Sequence, residues 1–142
     1  MTAPYRPLIR SQADLERVWR FLIRPLGFRR RSLWLLLIDV DDRPITGLTE
    51  ISDLPQRPDP TMSDKLAELF RHLADIGPAS RWAVLVSRPG SRPADAADRL
   101  WAAALYDAFR EHAIGHDVVH LATDAEIVPI PLDDVTDYLR AS

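Results

Sequence analysis

The sequence predicts an α/β (α+β) domain in which helices flank a mixed β-sheet, in the order α-ββ-α-β-α-ββ. Three observations predict this. Three segments repeat apolar residues at three- and four-residue spacing, the period of a helix with one buried face. Two short apolar runs, Leu33–Ile38 and Arg81–Val86, have strand length and turn-forming residues on their flanks. Strand and helix segments alternate along the chain, which implies a mixed sheet with helices packed on it.

Residues 1–10 form an N-terminal arm, 11–131 the domain and 132–142 a C-terminal tail. The first helix spans 12–23, with Leu15, Val18, Trp19 and Leu22 as its apolar stripe. Ser11 is a suitable N-cap and Asp14 stands three residues on, as in a capping box. Pro25 and Gly27 end the helix. Leu33–Ile38 then reads as a strand buried on both faces. Asp39–Pro44 is rich in turn formers and reverses the chain, and Ile45–Ile51 is the return strand of a hairpin.

Leu54–Pro60 holds three prolines and is a loop. The second helix spans Ser63–Ile76, turns Leu66, Leu69, Phe70 and Leu73 inward and stops at Gly77-Pro78. Arg81–Val86 is the third strand and Ser87–Pro93 the loop after it. The third helix spans Asp95–Ala113, with Ala97, Leu100, Trp101, Ala104, Leu105 and Ala108 as a wide stripe. Asp95 and Asp98 suit the positive end of its dipole, and Gly115 ends it. Val118–Ala122 and Ile127–Ile130 pair around Thr123–Glu126, and the tail from Leu132 adds a helical turn or two. Trp19, Trp34, Trp82 and Trp101 all fall on faces expected in the core.

Composition narrows the function classes. The chain has 142 residues, 46% hydrophobic and 27% charged, close to an ordinary soluble domain. Its longest apolar run is about a third of the ~20 residues that a membrane helix needs. The first residues, Met1-Thr-Ala-Pro-Tyr-Arg6, offer no apolar signal segment, so a cytoplasmic location and no membrane contact are expected. There is no cysteine, which removes disulfides, thiolate metal sites and cysteine nucleophiles together. Residues 1–32 carry eight arginines against Asp14 and Glu16, a net +6, and the remainder carries −9. The cluster Arg24, Arg29, Arg30 and Arg31 is therefore a candidate for contact with nucleic acid. Arginine outnumbers lysine throughout, however, as GC-rich coding would produce.

Four stretches, in order along the chain, together resemble a known family. Val18-Trp-Arg-Phe-Leu-Ile-Arg-Pro-Leu-Gly27 followed by Leu33-Trp-Leu-Leu-Leu-Ile-Asp-Val-Asp-Asp-Arg-Pro-Ile45 is similar to the opening of the RadC-like branch of the JAB/MPN metallopeptidase superfamily. Val84-Leu-Val-Ser-Arg-Pro-Gly-Ser-Arg-Pro93 resembles that family's strand and loop with two prolines at the same spacing, and Asp117–Asp124 its later strand. The similarity spans roughly residues 15–130. Active members carry a Glu and His-x-His-x7-Ser-x-x-Asp, whose histidines and aspartate hold a zinc ion with a reactive water. Aligning the prolines puts Val86 and Arg88 at the histidine positions, Ala96 at the serine and Arg99 at the aspartate. A one-residue gap brings Asp98 to that last place, and Glu50 matches the family glutamate. The resemblance therefore implies a degenerate member without the zinc ligands, an interaction or assembly module rather than a hydrolase.

Other constellations point elsewhere. His112, His116 and His120 share a four-residue spacing, but Gly115 interrupts any helix that would align them, and Glu111-His112 is the wrong order for H-E-x-x-H. Ser87 ends a strand but lacks a G-x-S-x-G elbow and an assignable base. Ser87–Arg92 before a helix is a candidate anion site, and Glu50, Ser87, Arg88, Arg92 and Asp98 are the ligand or anion-binding candidates of the cleft. Asp39, Asp41 and Asp42 read as a turn, since their spacing does not fit a calcium loop. No metal and no cofactor are expected. The expected partner is another protein or a second copy of the chain; the alternatives are a small enzyme or anion-binding domain that uses the cleft near Ser87–Arg92, and a nucleic-acid-associated protein.

Overall fold

The computed structural model describes residues 6–45, 48–74 and 79–135. Its elements are α1 (Gln12–Leu22), β1 (Ser32–Asp39), β2 (Thr49–Ile51), α2 (Met62–Ala74), β3 (Ala79–Ser87), α3 (Ala96–Glu111), β4 (Val119–Ala122) and β5 (Ile127–Ile130). The strands form one mixed sheet in the order β2-β1-β3-β4-β5, the α+β class that the sequence predicts. Only β3 and β4 are parallel, and α3 is the crossover between them. The other pairs are antiparallel.

The period of two along β1 sorts its side chains onto two cores. Leu33, Leu35 and Leu37 meet α2 and α3 together with Val84, Val86, Phe70 and Trp101. Leu36 and Ile38 meet α1 together with Ala83, Leu85 and Trp19. Both faces of β1 are thus covered, which is why it reads as a continuous apolar run. Trp19, Trp101, Phe70 and Phe109 are fully buried, each contributing on the order of 3 kcal/mol by removal from water.

Local chemistry sets the ends of the elements. Ser11 caps α1 by accepting from Asp14 N–H at 3.1 Å, while the Asp14 carboxylate reaches back to Arg10 N–H, one residue before the cap. Residues 6–10 lie against the β1 turn: Ile9 is buried, and its N–H donates to the Asp42 carbonyl. Asp39 holds that turn by accepting from the N–H groups of Asp41 and Arg43.

Three boundaries differ from the expectation. The return strand predicted over 45–51 is paired in two pieces, a bridge between Pro44 and Ile38 and then Thr49–Ile51, with 46–47 outside the described residues. The third helix stops at Glu111, before Gly115. Ala113 takes φ +52°, and Ile114 N–H donates back to the Phe109 carbonyl, a Schellman closure with alanine where glycine is usual. The third strand begins at Ala79, two residues early. Gly77-Pro78, Ile76 and the tail beyond 135 lie outside the described residues, as does the side chain of Leu73, and 132–135 begin a helical turn. Among the described residues no helix is long and apolar enough to cross a membrane.

Candidate functional site

The candidate residues gather near one end of the sheet, where β1 begins and β3 and β4 end. Asp98 is central. It stands at the third position of α3, where its carboxylate and that of the N-cap Asp95 exchange backbone hydrogen bonds in a capping box. Its side chain is wholly buried. Arg88, one residue beyond β3, donates from Nε to both carboxylate oxygens at 3.0 Å and from Nη2 to Oδ2 at 2.9 Å. Arg31, just before β1, donates from Nη1 to Oδ1 at 2.8 Å.

Burial opposes ionisation of Asp98, but the hydrogen bonds from Arg88, Asp95 N–H and Arg31 outweigh it and hold the carboxyl below its ordinary value. The remaining Arg88 donors are also used, Nη1 by the Pro89 carbonyl and Nη2 by the carbonyls of Arg92 and Pro93. Each nitrogen of the guanidinium that an anion would need is therefore already engaged within the chain, and the group is itself buried. Arg92 contributes a backbone carbonyl here, and its side chain is exposed.

Ser87 and Glu50 lie on the other side of the sheet. Register pairs Trp34 with both Glu50 and Leu85, which puts all three on the α1 face. Trp34 Nε1–H donates to Ser87 Oγ at 2.9 Å, and Ser87 is completely buried, so the hydroxyl is a core acceptor rather than an accessible nucleophile. Val86, at a histidine position of the resembled family, packs on the opposite face beneath α3. The five cleft candidates are thus split by the sheet, with Arg88 and Asp98 together and Glu50 apart. Glu50 instead lines a shallow, polar cleft of about 360 Å³ with Phe28, Arg29, Arg30, Ser32 and Ser52.

The arginine cluster is likewise divided. Arg31 is nearly buried and belongs to Asp98, and Arg30 pairs with Asp53 at 2.8 Å on the surface. Arg24 lies 4.4 Å from the centroid of the Phe21 ring, and both it and Arg29 are exposed.

Two residues that the sequence reading passes over tie elements together, Asp124 at this end of the sheet and Tyr106 where β4 begins and β5 ends. Asp124, in the β4–β5 turn, accepts from Phe28 N–H at 2.9 Å and Gly90 N–H at 2.8 Å, and these bonds lower its pKa. One carboxylate thereby ties three loops together. An Asp in a short turn between strands is a signal for such a role. Tyr106 donates to the Ile130 carbonyl at 2.7 Å and accepts from Val119 N–H at 2.9 Å, and burial pushes its pKa up to about 12.

The three histidines do not converge. His112 is the C-cap of α3, His116 stacks on Phe109 and His120 is buried in β4. Asp64, Glu111 and His112 do bring ligand atoms within 4.8 Å of one another. However, Arg71 Nη2 sits 2.6 Å from His112 Nδ1. A guanidinium only donates, so Nδ1 must accept and the proton resides on Nε2, facing Asp64 Oδ1 at 3.4 Å. That proton occupies the position a metal would need. Comparison with protein-family models and with curated proteins gives no match for this chain.

Proposed function

We propose that this chain is a non-catalytic domain of the JAB/RadC-like kind that acts in the cytoplasm as a protein-interaction or assembly module. One observation carries the reading: the side chains at the would-be metal and ligand positions bind one another. Asp98 is consumed by Arg88 and Arg31, and Val86 is core. A site built for a small ligand keeps polar groups aimed into open space, whereas Arg88, Asp98 and Ser87 are spent on the fold. The partner is a protein or a second copy of the chain.

Sedimentation velocity across protein concentration, paired with thermal melts in phosphate and small carboxylates, tests this. Concentration-dependent assembly and an unmoved melting temperature are expected. Stabilisation by a small anion that Arg92→Ala abolishes would instead make the domain a ligand binder.

A second reading rests on Arg24 and Arg29, exposed guanidiniums with no carboxylate partner among the described residues. Contact with nucleic acid there is expected to weaken steeply with salt and to be lost in an Arg24→Gln/Arg29→Gln double variant. Arg31 is excluded from that test because its charge belongs to Asp98.

A further inference from the structure

Among the described residues, two buried side-chain nitrogens have no hydrogen-bond partner in the protein, Trp19 Nε1 and His120 Nε2. Both lie in the seam between α1 and the sheet. Trp19 is on the inner face of α1, packed in a cluster with Leu85, Ala122 and Ile127. His120 is two residues from Ala122 on β4, and so on the same face, in register with Leu85 of β3 and Pro129 of β5. It is fully buried. Its Nδ1 lies 3.1 Å from the Val118 carbonyl, which only accepts, so Nδ1 carries the proton and Nε2 is a bare lone pair.

We propose that this seam is a proton-controlled latch, in which α1 seats on the sheet only while His120 is neutral. The neutral seam holds one spare donor, from Trp19, and one spare acceptor, from His120. A proton on Nε2 turns that acceptor into a charged donor, leaving two buried donors and no acceptor. Release of α1 gives the imidazolium water at the cost of exposing Leu15, Val18 and Trp19.

The charged groups that face His120 are Glu16 and Arg20 on α1 and Asp117 ahead of β4. The sheet neighbours Leu85 and Pro129 carry no charge. Burial, aided by Arg20, outweighs the favourable pull of Glu16 and Asp117, and the net effect lowers the His120 pKa. The unfolded or undocked form therefore binds the proton more tightly. The seat is fully present above the ordinary histidine value of about 6.5 and weakens as pH falls below it, until the folded-state pKa is passed. Within that window the opening equilibrium rises by up to about tenfold per pH unit.

Native-state hydrogen exchange read by mass spectrometry at pH 7.5 and pH 5.0, corrected for intrinsic rates, tests the latch on the intact chain. Peptides over 12–22 are expected to lose roughly tenfold in protection relative to peptides over 96–111. NMR titration of the His120 ring is expected to give a midpoint below 6.5. His120→Leu, or His120→Gln should the first variant fail to fold, is expected to remove the pH dependence of the 12–22 segment. Equal protection of that segment at both pH values overturns the proposal. So does a titration midpoint at or above 6.5, or a pH response that persists undiminished in the folded variant.

Discussion

Arg88 meets Asp98 side-on, with Nε shared between both carboxylate oxygens and Nη2 closing the second contact, while Arg31 caps Oδ1 from 67 residues away in sequence. The arrangement joins the end of β3, the entry to β1 and the first turn of α3. Removing one partner from such a buried set leaves uncompensated charge, which costs more than the set contributes in place of apolar side chains. Asp98→Ala is therefore expected to destabilise the fold by about 3–5 kcal/mol in urea unfolding. Arg31→Met/Arg88→Met/Asp98→Leu together, which removes every charge of the set, are expected to lose far less than Asp98→Ala alone. Equal losses in the two variants would contradict the ion-pair account.

The same carboxylate predicts an acid response. Its folded-state pKa is depressed, so its contribution is fully present above the ordinary Asp value of about 3.9 and is lost as pH falls through the folded value. Unfolding midpoints measured from pH 5 downward are expected to fall more steeply in the wild type than in the Arg31→Met/Arg88→Met/Asp98→Leu variant.

Much of the fold was legible in the sequence, because apolar periodicity reports burial directly. Leu33–Ile38, Trp101 and the α1 stripe all fall where their spacing places them. The candidate site was legible only as a collection of residues. Arg88 and Asp98 stand ten positions apart around a loop, a distance that chain pattern can connect, and their pairing follows from the strand-to-helix turn. Glu50 depends on strand register, and a slip of one residue moves a side chain to the other face. The return strand is paired in two pieces, yet Ile45 and Ile51 pack on one core and Leu48 on the other, so alternation does put Glu50 on the α1 face; chain pattern does not show that Arg88 and Asp98 stand across the sheet from it. Arg31 looked like one member of a surface cluster because its partner is remote in sequence.

Ser87 and Trp34 give a prediction about the absent nucleophile. Ser87→Ala leaves the Trp34 indole N–H without its acceptor, and a cost of about 1 kcal/mol in stability is expected. Covalent labelling by a serine-directed fluorophosphonate is expected to be absent in the folded protein, since Ser87 is fully buried. Labelling at Ser87 without unfolding would refute this placement.

The end of α3 offers a gain of stability. Ala113 holds φ +52° at the position where helices commonly place glycine. Its Cβ makes that conformation unfavourable, whereas glycine adopts it without strain. Ala113→Gly is expected to raise unfolding free energy by about 0.5–1 kcal/mol, after the larger chain entropy of glycine is counted. Ala113→Val is expected to lower it. A thermal or urea melt separates the two directions.

Arg71 and His112 set the last prediction. By donating to Nδ1, Arg71 fixes the His112 tautomer with its proton on the nitrogen nearest Asp64. A zinc ion among Asp64, Glu111 and His112 would need that nitrogen bare, and it would meet the positive charge of Arg71 nearby. Zinc added at neutral pH is therefore expected to leave the melting temperature of the wild type unchanged. Arg71→Ala frees Nδ1 to carry the proton and removes the repulsion, so the variant is expected to gain a zinc-dependent rise. His112→Ala on top of it should abolish that rise. If zinc stabilised the wild type as much as the Arg71 variant, the guanidinium would not be what closes this cluster to metal.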